Sequence, residues 1–464
     1  MILQLTDNSK KGWQEFGCSE PFAKYREKLL LWGGYSLEQM RNEGLSVPIG
    51  SIESKDEDFS PKNLFSIEKP GANNPLIKTH NLMGFLEIDD NLQIQITSRF
   101  DSNEKNYFLH YLLQKVFNVS LLNKTRTSKE SLYDLLYYVF PYYLNAACKQ
   151  GIFRKYTNID CNDANVKGPI DVARHIRVNV PFNGKIAYRK REYATDNYIT
   201  QLIRHTIEFI RARKGGKAIL NGGKKDETRK NVERIIAVTG SYNRNDKSYI
   251  ISKSKTPVTH PYYTAYEPLR KICLMILAHK KLNCGTDNVK MRGILFDGAS
   301  LWEEYLNVIL SSRDAFEREL LHPNNRTGAY KQYLFENNKR EIYPDFIYKP
   351  VNDGNVILSG TAILDAKYKR TKPNDIDRED AFQMISYMSR FKAGHSYLIY
   401  PRKDGENLLG DSFVVLNHPD LTVHKIGFRI PNYRNEMTFE DFSKEMKESE
   451  KKLINSLKEH LENP

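Results

Sequence analysis

Two carboxylates and a lysine in the last third of the chain have the types and the spacing to hydrolyse a phosphodiester bond. Asp345 follows a proline near the start of the apolar segment Tyr343–Tyr348. Asp365 and Lys367 lie two residues apart in a second such segment, Ile363–Lys369. Carboxylate oxygens suit Mg²⁺, which usually takes only one or two of them from a protein. A metal-bound water becomes a nucleophile nearer neutral pH, and an ammonium group can stabilise charge on the phosphate. The three residues therefore predict metal-assisted phosphodiester hydrolysis.

Both segments have the composition of β-strands, and the arrangement of these strands must bring the three side chains together. Residues two apart in a strand point to the same face, so Asp365 and Lys367 would share one face. Asn352–Asn355, between the segments, is a hairpin turn signal, which predicts that the two strands are antiparallel neighbours. Asp345 would then lie beside Asp365.

Two predicted helices flank these strands and carry further polar side chains. The upstream helix, Leu301–Leu306, contains Glu303 and Glu304; either acid could lean towards the metal, and Glu303 is the first choice. The downstream helix contains Gln383 and Tyr387, which are four residues apart and therefore on one face. Each fragment is common by itself, as an exposed ion pair or a solvated helix residue. Their occurrence together and in order favours a functional site.

The order of predicted elements in this region is helix, strand (330–335), strand, strand, helix and strand. With the Pro-Asp and Asp-x-Lys motifs, this order resembles the PD-(D/E)XK nuclease superfamily, whose core is a mixed sheet flanked by helices. The resemblance implies a DNA-cutting site that uses Mg²⁺, with Mn²⁺ able to substitute. It implies Asp345, Asp365 and Glu303 as metal ligands. The catalytic residues that it implies are, in chain order, Glu303, Asp345, Asp365, Lys367, Gln383 and Tyr387.

A narrower resemblance extends over most of the chain. Phe296–Leu306 and the motifs above are similar to the McrC family, the endonuclease subunits of McrBC-type and LlaJI-like modification-dependent restriction systems. Gly168–Asp171 and Glu192–Asn197 resemble the middle segment of that family. Gly84–Phe100 resembles its N-terminal hairpin, although this chain has Ser98-Arg99 where the family has Pro-Lys.

The McrC resemblance implies a partner, a McrB-like AAA+ GTPase hexamer that recognises modified bases such as 5-methylcytosine. In such systems the N-terminal region of the McrC-type subunit docks on the ring and stimulates GTP hydrolysis, and its C-terminal nuclease cuts DNA. This chain has no GxxxxGK[ST] loop, so we expect it to bind no nucleotide alone. Cutting both strands needs two active sites, so we expect two copies to pair.

The charge of the chain favours an anionic partner. Its 464 residues contain 70 Lys or Arg and 57 Asp or Glu, a net charge of +13. Nucleic acid is the leading candidate, and an anionic membrane surface is the second. Residues 201–255 carry 14 Lys or Arg and 5 Asp or Glu, a net +9. The Gly/Lys-rich stretch in this region could contact phosphates or could be a solvated, mobile loop; its lysines are Lys214, Lys217, Lys224 and Lys225.

Several classes of protein are not indicated by the sequence. No apolar run reaches the roughly 18–20 residues of a membrane span, and the N-terminus has no secretory-signal pattern. The five cysteines form no CxxC pair, and no HExxH motif occurs, so a zinc hydrolase is not expected. We therefore expect a cytoplasmic protein with reduced cysteines and no membrane partner.

We predict a multi-domain α/β protein, because 464 residues are too many for one ordinary core. Residues 1–125 are expected to form an α+β, partner-docking domain that contains a hairpin at Gly84–Ile96. Residues 126–288 are expected to be mainly helical and basic. Residues 289–435 would form the nuclease domain, and residues 436–464 a C-terminal helix.

Two other functions fit the same residues. The chain could be a standalone PD-(D/E)XK nuclease in DNA repair, which would cut without any nucleotide. It could also be a non-catalytic adaptor that binds DNA or activates an NTPase, which would support no cleavage with either Mg²⁺ or Mn²⁺.

Overall fold

The computed structural model divides the chain into two compact units. The first contains residues 1–116, 123–132 and 286–464, and the second contains residues 117–122 and 133–285. The residues that the structure describes are 2–16, 24–36, 39, 63–69, 74–89, 92–101, 106–117, 128–213, 215–221, 226–277, 292–316, 319–323, 332–353, 356–372, 374–403, 410–434 and 436–462.

The elements are numbered in chain order. The strands are β1 (Ile2–Thr6), β2 (Lys10–Gly12), β3 (Phe65–Glu68), β4 (Leu76–Thr79), β5 (Leu82–Asp89), β6 (Leu92–Thr97), β7 (Lys155–Asp163), β8 (Ile186–Ala194), β9 (Arg292–Asp297), β10 (Leu320–Leu321), β11 (Gln332–Phe335), β12 (Lys339–Ile342), β13 (Phe346–Tyr348), β14 (Val351–Asp353), β15 (Val356–Ser359), β16 (Ala362–Ala366), β17 (His395–Lys403), β18 (Gly410–Val415) and β19 (His418–Ile430). The α-helices are α1 (Arg26–Gly34), α2 (Tyr107–Val116), α3 (Ser128–Lys149), α4 (Val172–Asn179), α5 (Tyr198–Arg211), α6 (Gly216–Asn221), α7 (Glu227–Val238), α8 (Lys247–Lys253), α9 (Tyr266–Leu277), α10 (Gly298–Leu310), α11 (Arg378–Phe391) and α12 (Phe439–Glu462).

Two small sheets form the N-terminal part of the first unit. One has the order β1-β6-β5-β9, with β1 parallel to β6 and the other pairs antiparallel, and the other has the order β2-β4-β3. The predicted hairpin is confirmed as β5 and β6. β9 follows the predicted middle region, residues 126–288, yet it pairs with β5. This pairing joins the N-terminal and C-terminal parts of the chain in one unit. Gly84 has a φ of +135° at this contact, where a Cβ atom would collide with the Ile294 carbonyl oxygen.

A six-stranded mixed sheet is the largest sheet of the first unit, with the order β10-β13-β16-β17-β19-β18. β16, β17 and β19 are parallel, and β10, β13 and β18 run antiparallel to their neighbours. α11 connects the parallel strands β16 and β17 and packs on one face. Its residues Met384, Met388 and Phe391 share a buried cluster with Ile363 and Leu398 of those strands.

α10 and α12 cover the opposite face of this sheet. Trp302 of α10 packs against Phe428, with ring centroids 5.4 Å apart, and donates to the Ile399 carbonyl at 3.3 Å. Tyr397, which precedes Leu398, contacts His460 of α12 with centroids 6.2 Å apart. Successive strand residues point to opposite faces, so the sheet has helices on both of them. The prediction of a mixed α/β architecture with flanked sheets is confirmed.

Two short hairpins lie among the strands of the mixed sheet and differ from the sequence prediction. The predicted strand 330–335 is described from Gln332 as β11, but it pairs with β12 in a separate two-stranded sheet. The predicted turn at Asn352–Asn355 begins within β14, which pairs with β15, and residues 354 and 355 lie outside the described part. The connection from β13 to β16 therefore contains a hairpin of its own.

The second unit is organised around α5. Its apolar residues are fully buried at 0% exposure, as their helical spacing predicts: Ile199, Leu202, Ile203, Ile207 and Ile210. Asn197 and Thr200 form a capping box at its start, and α6, α7, α8 and α9 contact it. The antiparallel pair β7 and β8 also belongs to this unit. The prediction of a mainly helical region missed this pair because most side chains of β7 are exposed and show no apolar alternation.

The C-terminal helix is confirmed as α12. Thr438 and Asp441 cap its start, since the Asp441 amide donates to Thr438 Oγ1 at 3.2 Å and the Thr438 amide donates to Asp441 Oδ2 at 3.0 Å. None of the helices in the described part of the chain is long and apolar enough to span a membrane. The buried face of α12 contains Phe442, Met446, Leu453, Leu457 and Leu461.

Candidate active site

Asp345 and Asp365 meet at the ends of two paired strands. Phe346 of β13 lies opposite Leu364 of β16, which brings the preceding Asp345 next to Asp365. Asp345 occupies a bend just before β13, and its Oδ2 accepts from the Ala366 amide at 2.7 Å. β13 and β16 are both shorter than predicted. The Ala366 amide donates to the Asp345 carboxylate instead of to a backbone carbonyl of the neighbouring strand, so the pairing of β16 with β13 ends there. Asp365 is 3% exposed.

Lys367 completes the cluster at the end of β16. Its Nζ lies 2.7 Å from Asp365 Oδ2 and donates to Gln383 Oε1 at 2.6 Å. A second carboxylate oxygen, Oδ1 of Asp380, lies 3.7 Å from the same nitrogen. The Lys367 amide donates to the Ile399 carbonyl at 3.0 Å, which fixes the backbone at this point. The side chain as a whole is 17% exposed.

Gln383 and Tyr387 of α11 support Lys367. Gln383 Nε2 donates to the Tyr387 hydroxyl at 3.0 Å, and that hydroxyl also accepts from the Tyr343 amide at 3.3 Å. Burial raises the pKa of Tyr387, and the nearby charge of Asp365 raises it further, so the hydroxyl stays protonated. The two residues predicted as a Gln-x-x-x-Tyr pair therefore form a chain of hydrogen bonds from the Lys367 ammonium to the backbone before Asp345.

Glu303 and Glu304 approach the site from α10, through a histidine that the sequence did not single out. His322 Nδ1 lies 2.7 Å from the Asp345 carbonyl oxygen; a carbonyl can only accept, so Nδ1 donates. His322 Nε2 lies 3.7 Å from Glu303 Oε1 and 4.0 Å from Glu304 Oε1. The only signal for His322 was its place after the short apolar pair Leu320–Leu321, which becomes β10 beside β13.

Asp380 is a second residue of the site that was not predicted as functional. It is 4% exposed, accepts from the Tyr400 hydroxyl at 2.7 Å and lies 2.9 Å from the Lys369 Nζ. Asp380 and Gln383 are three residues apart on α11, so they share a face. That spacing was the available signal, and both residues reach Lys367.

The cluster concentrates negative charge around one ammonium group. Burial raises the pKa of Asp345 well above its ordinary value, and the charges of Asp365 and Glu303 raise it further. Burial alone would lower the pKa of Lys367, but the carboxylates of Asp365 and Asp380 outweigh this effect and raise it. Lys367 is therefore protonated, while the carboxylates at this site repel one another.

The donor chemistry of this cluster suits a hard divalent cation, because a cation would relieve the repulsion among its carboxylates. In the described part of the chain, however, no group of three or more His, Cys, Asp or Glu residues is gathered as a ready-made metal site. The predicted trio of Asp345, Asp365 and Glu303 is therefore not preassembled. One oxygen of Asp365, Oδ2, is paired with the Lys367 ammonium. Asp345 and Asp365 remain the pair of carboxylates that fit a Mg²⁺ ion with bound waters.

Of the four lysines predicted to contact phosphates, the structure describes one. Lys214, Lys224 and Lys225 lie outside the described residues. Lys217 is exposed on the short helix α6 of the second unit. Its exposure agrees with either a phosphate contact or a solvated surface, so the two alternatives stay open.

Comparisons with known proteins identify the family. No curated protein matches the chain. A solved half-complex from a tetradecameric assembly of Thermococcus gammatolerans McrB AAA+ hexamers with bound McrC is 14% identical with a TM-score of 0.46, covering 97% of this chain and 100% of that one. The cryo-EM structure of the Thermococcus gammatolerans McrBC complex is 13% identical with a TM-score of 0.30, covering 69% of this chain and 90% of that one. The sequence model of the McrBC 5-methylcytosine restriction system component family matches residues 77–401, more than half of the chain. The chain therefore belongs to this family, as its resemblance to the McrC family predicted.

Proposed function

We propose that this chain is the DNA endonuclease subunit of a McrBC-like, modification-dependent restriction system, with a PD-(D/E)XK core and Mg²⁺ as its cofactor. One observation carries the proposal: Asp345, Asp365 and Lys367 meet at the ends of two paired strands. The mixed sheet with helices on both faces supports it. The reaction adds water across a P–O ester bond of DNA and leaves one phosphate end and one hydroxyl end.

Asp345 and Asp365 are the residues that would hold Mg²⁺, or Mn²⁺ in its place, with Glu303 adding negative charge nearby. Bound Mg²⁺ would favour hydroxide over water and offset negative charge on the phosphate. The buried carboxylates alone cannot attract a phosphate, because like charges repel. A cation is what makes this cluster compatible with DNA.

Lys367 would act directly on the phosphate. Its pKa is raised, so it keeps its positive charge throughout the working pH range, and its side chain is 17% exposed. A fixed ammonium group stabilises charge that develops on a phosphate oxygen during cleavage. Gln383 holds this ammonium group, and Tyr387 holds Gln383. These two residues would therefore act by positioning Lys367 rather than by touching DNA.

The proposal includes a McrB-like AAA+ GTPase hexamer that this chain binds and stimulates. An exposed apolar surface in the second unit supports binding to another protein. Val172, Ile176 and Val180 follow one another at four-residue spacing, and they are 61%, 58% and 64% exposed. Phe182, close by in sequence, is 67% exposed. We call these four residues the apolar stripe; exposed apolar groups of this size are typical of protein interaction surfaces.

The apolar stripe can be tested by changing Ile176 and Phe182 to Ser and measuring co-elution with the GTPase and the GTP hydrolysis rate. We expect both binding and stimulation to be lost. Tyr249→Ser is the matched control, because Tyr249 is 61% exposed in the same unit and lies outside the stripe. Unchanged binding of the double variant would favour docking through residues 1–125, as the sequence predicted.

The nuclease function is tested by reconstituting the chain with its GTPase partner and measuring cleavage of methylated DNA with GTP and Mg²⁺. The wild type should cut. Asp345→Ala and Lys367→Ala should still bind the partner but should lose cleavage. Asp377→Ala, which removes an exposed carboxylate that caps α11, should cut normally. Cleavage by either site variant would contradict the assignment of the site.

The same assay separates the two alternative functions. Efficient cutting by the isolated chain without any nucleotide would favour a standalone repair nuclease. Absence of cutting by the assembled complex with both Mg²⁺ and Mn²⁺ would favour a non-catalytic adaptor. An unmodified DNA of the same sequence is the control for dependence on modification.

The basic stretch of the second unit is tested by the salt dependence of DNA binding. If its four lysines contact phosphates, neutralising them should flatten the slope of log K against log salt, because fewer counterions are released. The variants are glutamines at Lys214, Lys217, Lys224 and Lys225. The matched control neutralises four exposed lysines of α12, Lys444, Lys447, Lys451 and Lys452. An unchanged slope in the first set would mean that the stretch is only solvated.

A further inference from the structure

Tyr368 follows Lys367 directly and is held by residues from the N-terminal part of the chain. It is 4% exposed, and its hydroxyl lies 2.7 Å from Ser98 Oγ, 270 positions away in sequence. Its ring lies 4.8 Å from the Arg99 guanidinium and 5.2 Å from the Phe100 ring. The residue after the proposed catalytic lysine is therefore fixed by the segment that follows β6.

Arg99 is itself fixed by a buried ion pair. It is 7% exposed, and its guanidinium lies 3.0 Å from Oδ2 of Asp7, which is 0% exposed. The Arg99 amide also donates to Asp7 Oδ1, and its guanidinium donates to Asn81 Oδ1. Movement of Arg99 away from Asp7 would leave a buried charge without compensation, which is costly. The ion pair therefore keeps Arg99 in one position. We call Asp7, Asn81, Ser98 and Arg99 the N-terminal clamp.

The N-terminal clamp also reaches the start of α10, the helix that carries Glu303. The Gly298 amide donates to the Asn81 carbonyl at 2.6 Å. A Cβ atom at Gly298 would lie 2.7 Å from the Tyr368 ring, so this ring packs directly on the first turn of α10. The clamp therefore contacts both elements that supply the site, the end of β16 and the start of α10.

We propose that Tyr368 is a positioning residue for Lys367, and that the N-terminal clamp sets its position; this inference rests on the proposed nuclease function. β16 ends at Ala366. The Lys367 amide still donates a hydrogen bond to the Ile399 carbonyl, and the next residue is anchored by the side chain of Tyr368. Misplacement of a reacting group by about 1 Å can cost about 100-fold in rate. The N-terminal sheet thus contributes to the precision of the nuclease site, and is not only a docking region.

The test compares Tyr368→Phe and Ser98→Ala with a matched control, Tyr111→Phe, in the full-length chain assembled with its GTPase. Tyr111 is another buried tyrosine of the first unit, and its hydroxyl donates to Glu450 at 2.7 Å. Tyr368→Phe removes the contacts of a buried hydroxyl with Ser98 Oγ and Met83 Sδ, and Tyr111→Phe removes a buried hydrogen bond to Glu450, so both melting temperatures should fall. Single-turnover cleavage should slow about fivefold or more in Tyr368→Phe and Ser98→Ala, the effect of one lost hydrogen bond.

Two further readouts separate positioning from a merely structural role. The DNA concentration for half-maximal rate should stay unchanged in Tyr368→Phe, because only the placement of Lys367 is altered. The double variant Ser98→Ala/Tyr368→Phe should cut no more slowly than the slower single variant, because both changes remove the same hydrogen bond. Additive losses would mean that the two residues act separately.

The outcomes also separate this inference from the proposed function. Wild-type cleavage together with wild-type rates in Tyr368→Phe and Ser98→Ala would overturn the positioning role alone. An equal loss of rate in Tyr111→Phe would overturn it as well, because the effect would then follow stability. Failure of the wild type to cut with GTP and Mg²⁺ or Mn²⁺ would overturn the proposed nuclease, and the positioning role with it.

Discussion

Replacing Lys367 by Met should destabilise the first unit by an amount that the geometry of the site sets. The ammonium lies 2.7 Å from an Asp365 oxygen and 3.7 Å from an Asp380 oxygen. At an effective dielectric constant near 20, these attractions are about 6 and 4 kcal/mol before the loss of hydration is counted. Removing one partner of a buried pair costs about 3–5 kcal/mol in net terms. Since Lys367 is 17% exposed, we expect the lower end, about 3 kcal/mol.

Urea unfolding at pH 8 in EDTA, followed by tryptophan fluorescence, measures this loss. The chain has three tryptophans, and Trp13, Trp32 and Trp302 all belong to the first unit, so the signal reports the unit that contains the site. Lys369→Met is the matched control. Its Nζ lies 2.9 Å from Asp380 Oδ2, but the side chain is 36% exposed, so the loss should be under about 1 kcal/mol.

The comparison of the two lysine variants decides whether the reasoning is correct. Adding Asp365→Asn to Lys367→Met should restore part of the stability, because it removes the carboxylate left without its partner. If Lys367→Met loses no more than Lys369→Met, the ammonium does not hold the carboxylates together, and the electrostatic account of the site is wrong.

Three other changes test separate parts of the structure. Burial and the charges of Asp365 and Glu303 raise the pKa of Asp345 above 3.8, so the folded protein holds a proton that the unfolded chain releases. In EDTA, the free energy of unfolding should therefore fall as the pH rises from 3.8 through the raised pKa. Urea unfolding repeated across the pH range should show a weaker dependence on pH in Asp345→Asn. Glu303→Gln should slow DNA cleavage more than Glu304→Gln, because the charge of Glu303 reaches Asp345; equal rates would contradict this choice. Thr438→Ala should cost about 1 kcal/mol in the same unfolding assay by removing the cap of α12, with cleavage unchanged; no loss would mean that the cap contributes nothing.

The local elements could be predicted because their patterns are strong. The hairpin predicted at Gly84–Ile96 is β5 and β6, and the helix predicted at the C-terminal end is α12, where apolar residues at helical spacing form the buried face. The pair β7 and β8 was missed, because most side chains of β7 are exposed and leave no such pattern. The pairing of β9 with β5 could not be read either, since it joins residues about two hundred positions apart and depends on the tertiary fold.

The candidate site was predictable where it depends on neighbours in sequence. The strand pair brings Asp345 to Asp365, and one helix face brings Gln383 to Lys367, as the spacing predicted. His322 was missed because it reaches the site through β10, a two-residue strand whose position only the sheet reveals. Asp380 was missed because a buried acid on a helix resembles an ordinary surface acid until its partners are known. The predicted proximity of Lys367 to Asp365 is found, with Lys367 Nζ 2.7 Å from Asp365 Oδ2.

The most direct test of the central claim is the single-turnover cleavage rate of the assembled complex as a function of Mg²⁺ concentration, for the wild type and for Asp365→Asn. Asp365→Asn keeps the shape of a side chain that is 4% exposed, and Asp380 Oδ1 still lies 3.7 Å from the Lys367 ammonium; co-elution with the GTPase checks that the complex assembles. We predict that the wild-type rate rises with Mg²⁺ to a plateau and that Asp365→Asn shows no measurable cleavage at any concentration. Cleavage by Asp365→Asn with the wild-type dependence on Mg²⁺, or wild-type cleavage in EDTA, would contradict a metal-dependent nuclease site at these residues.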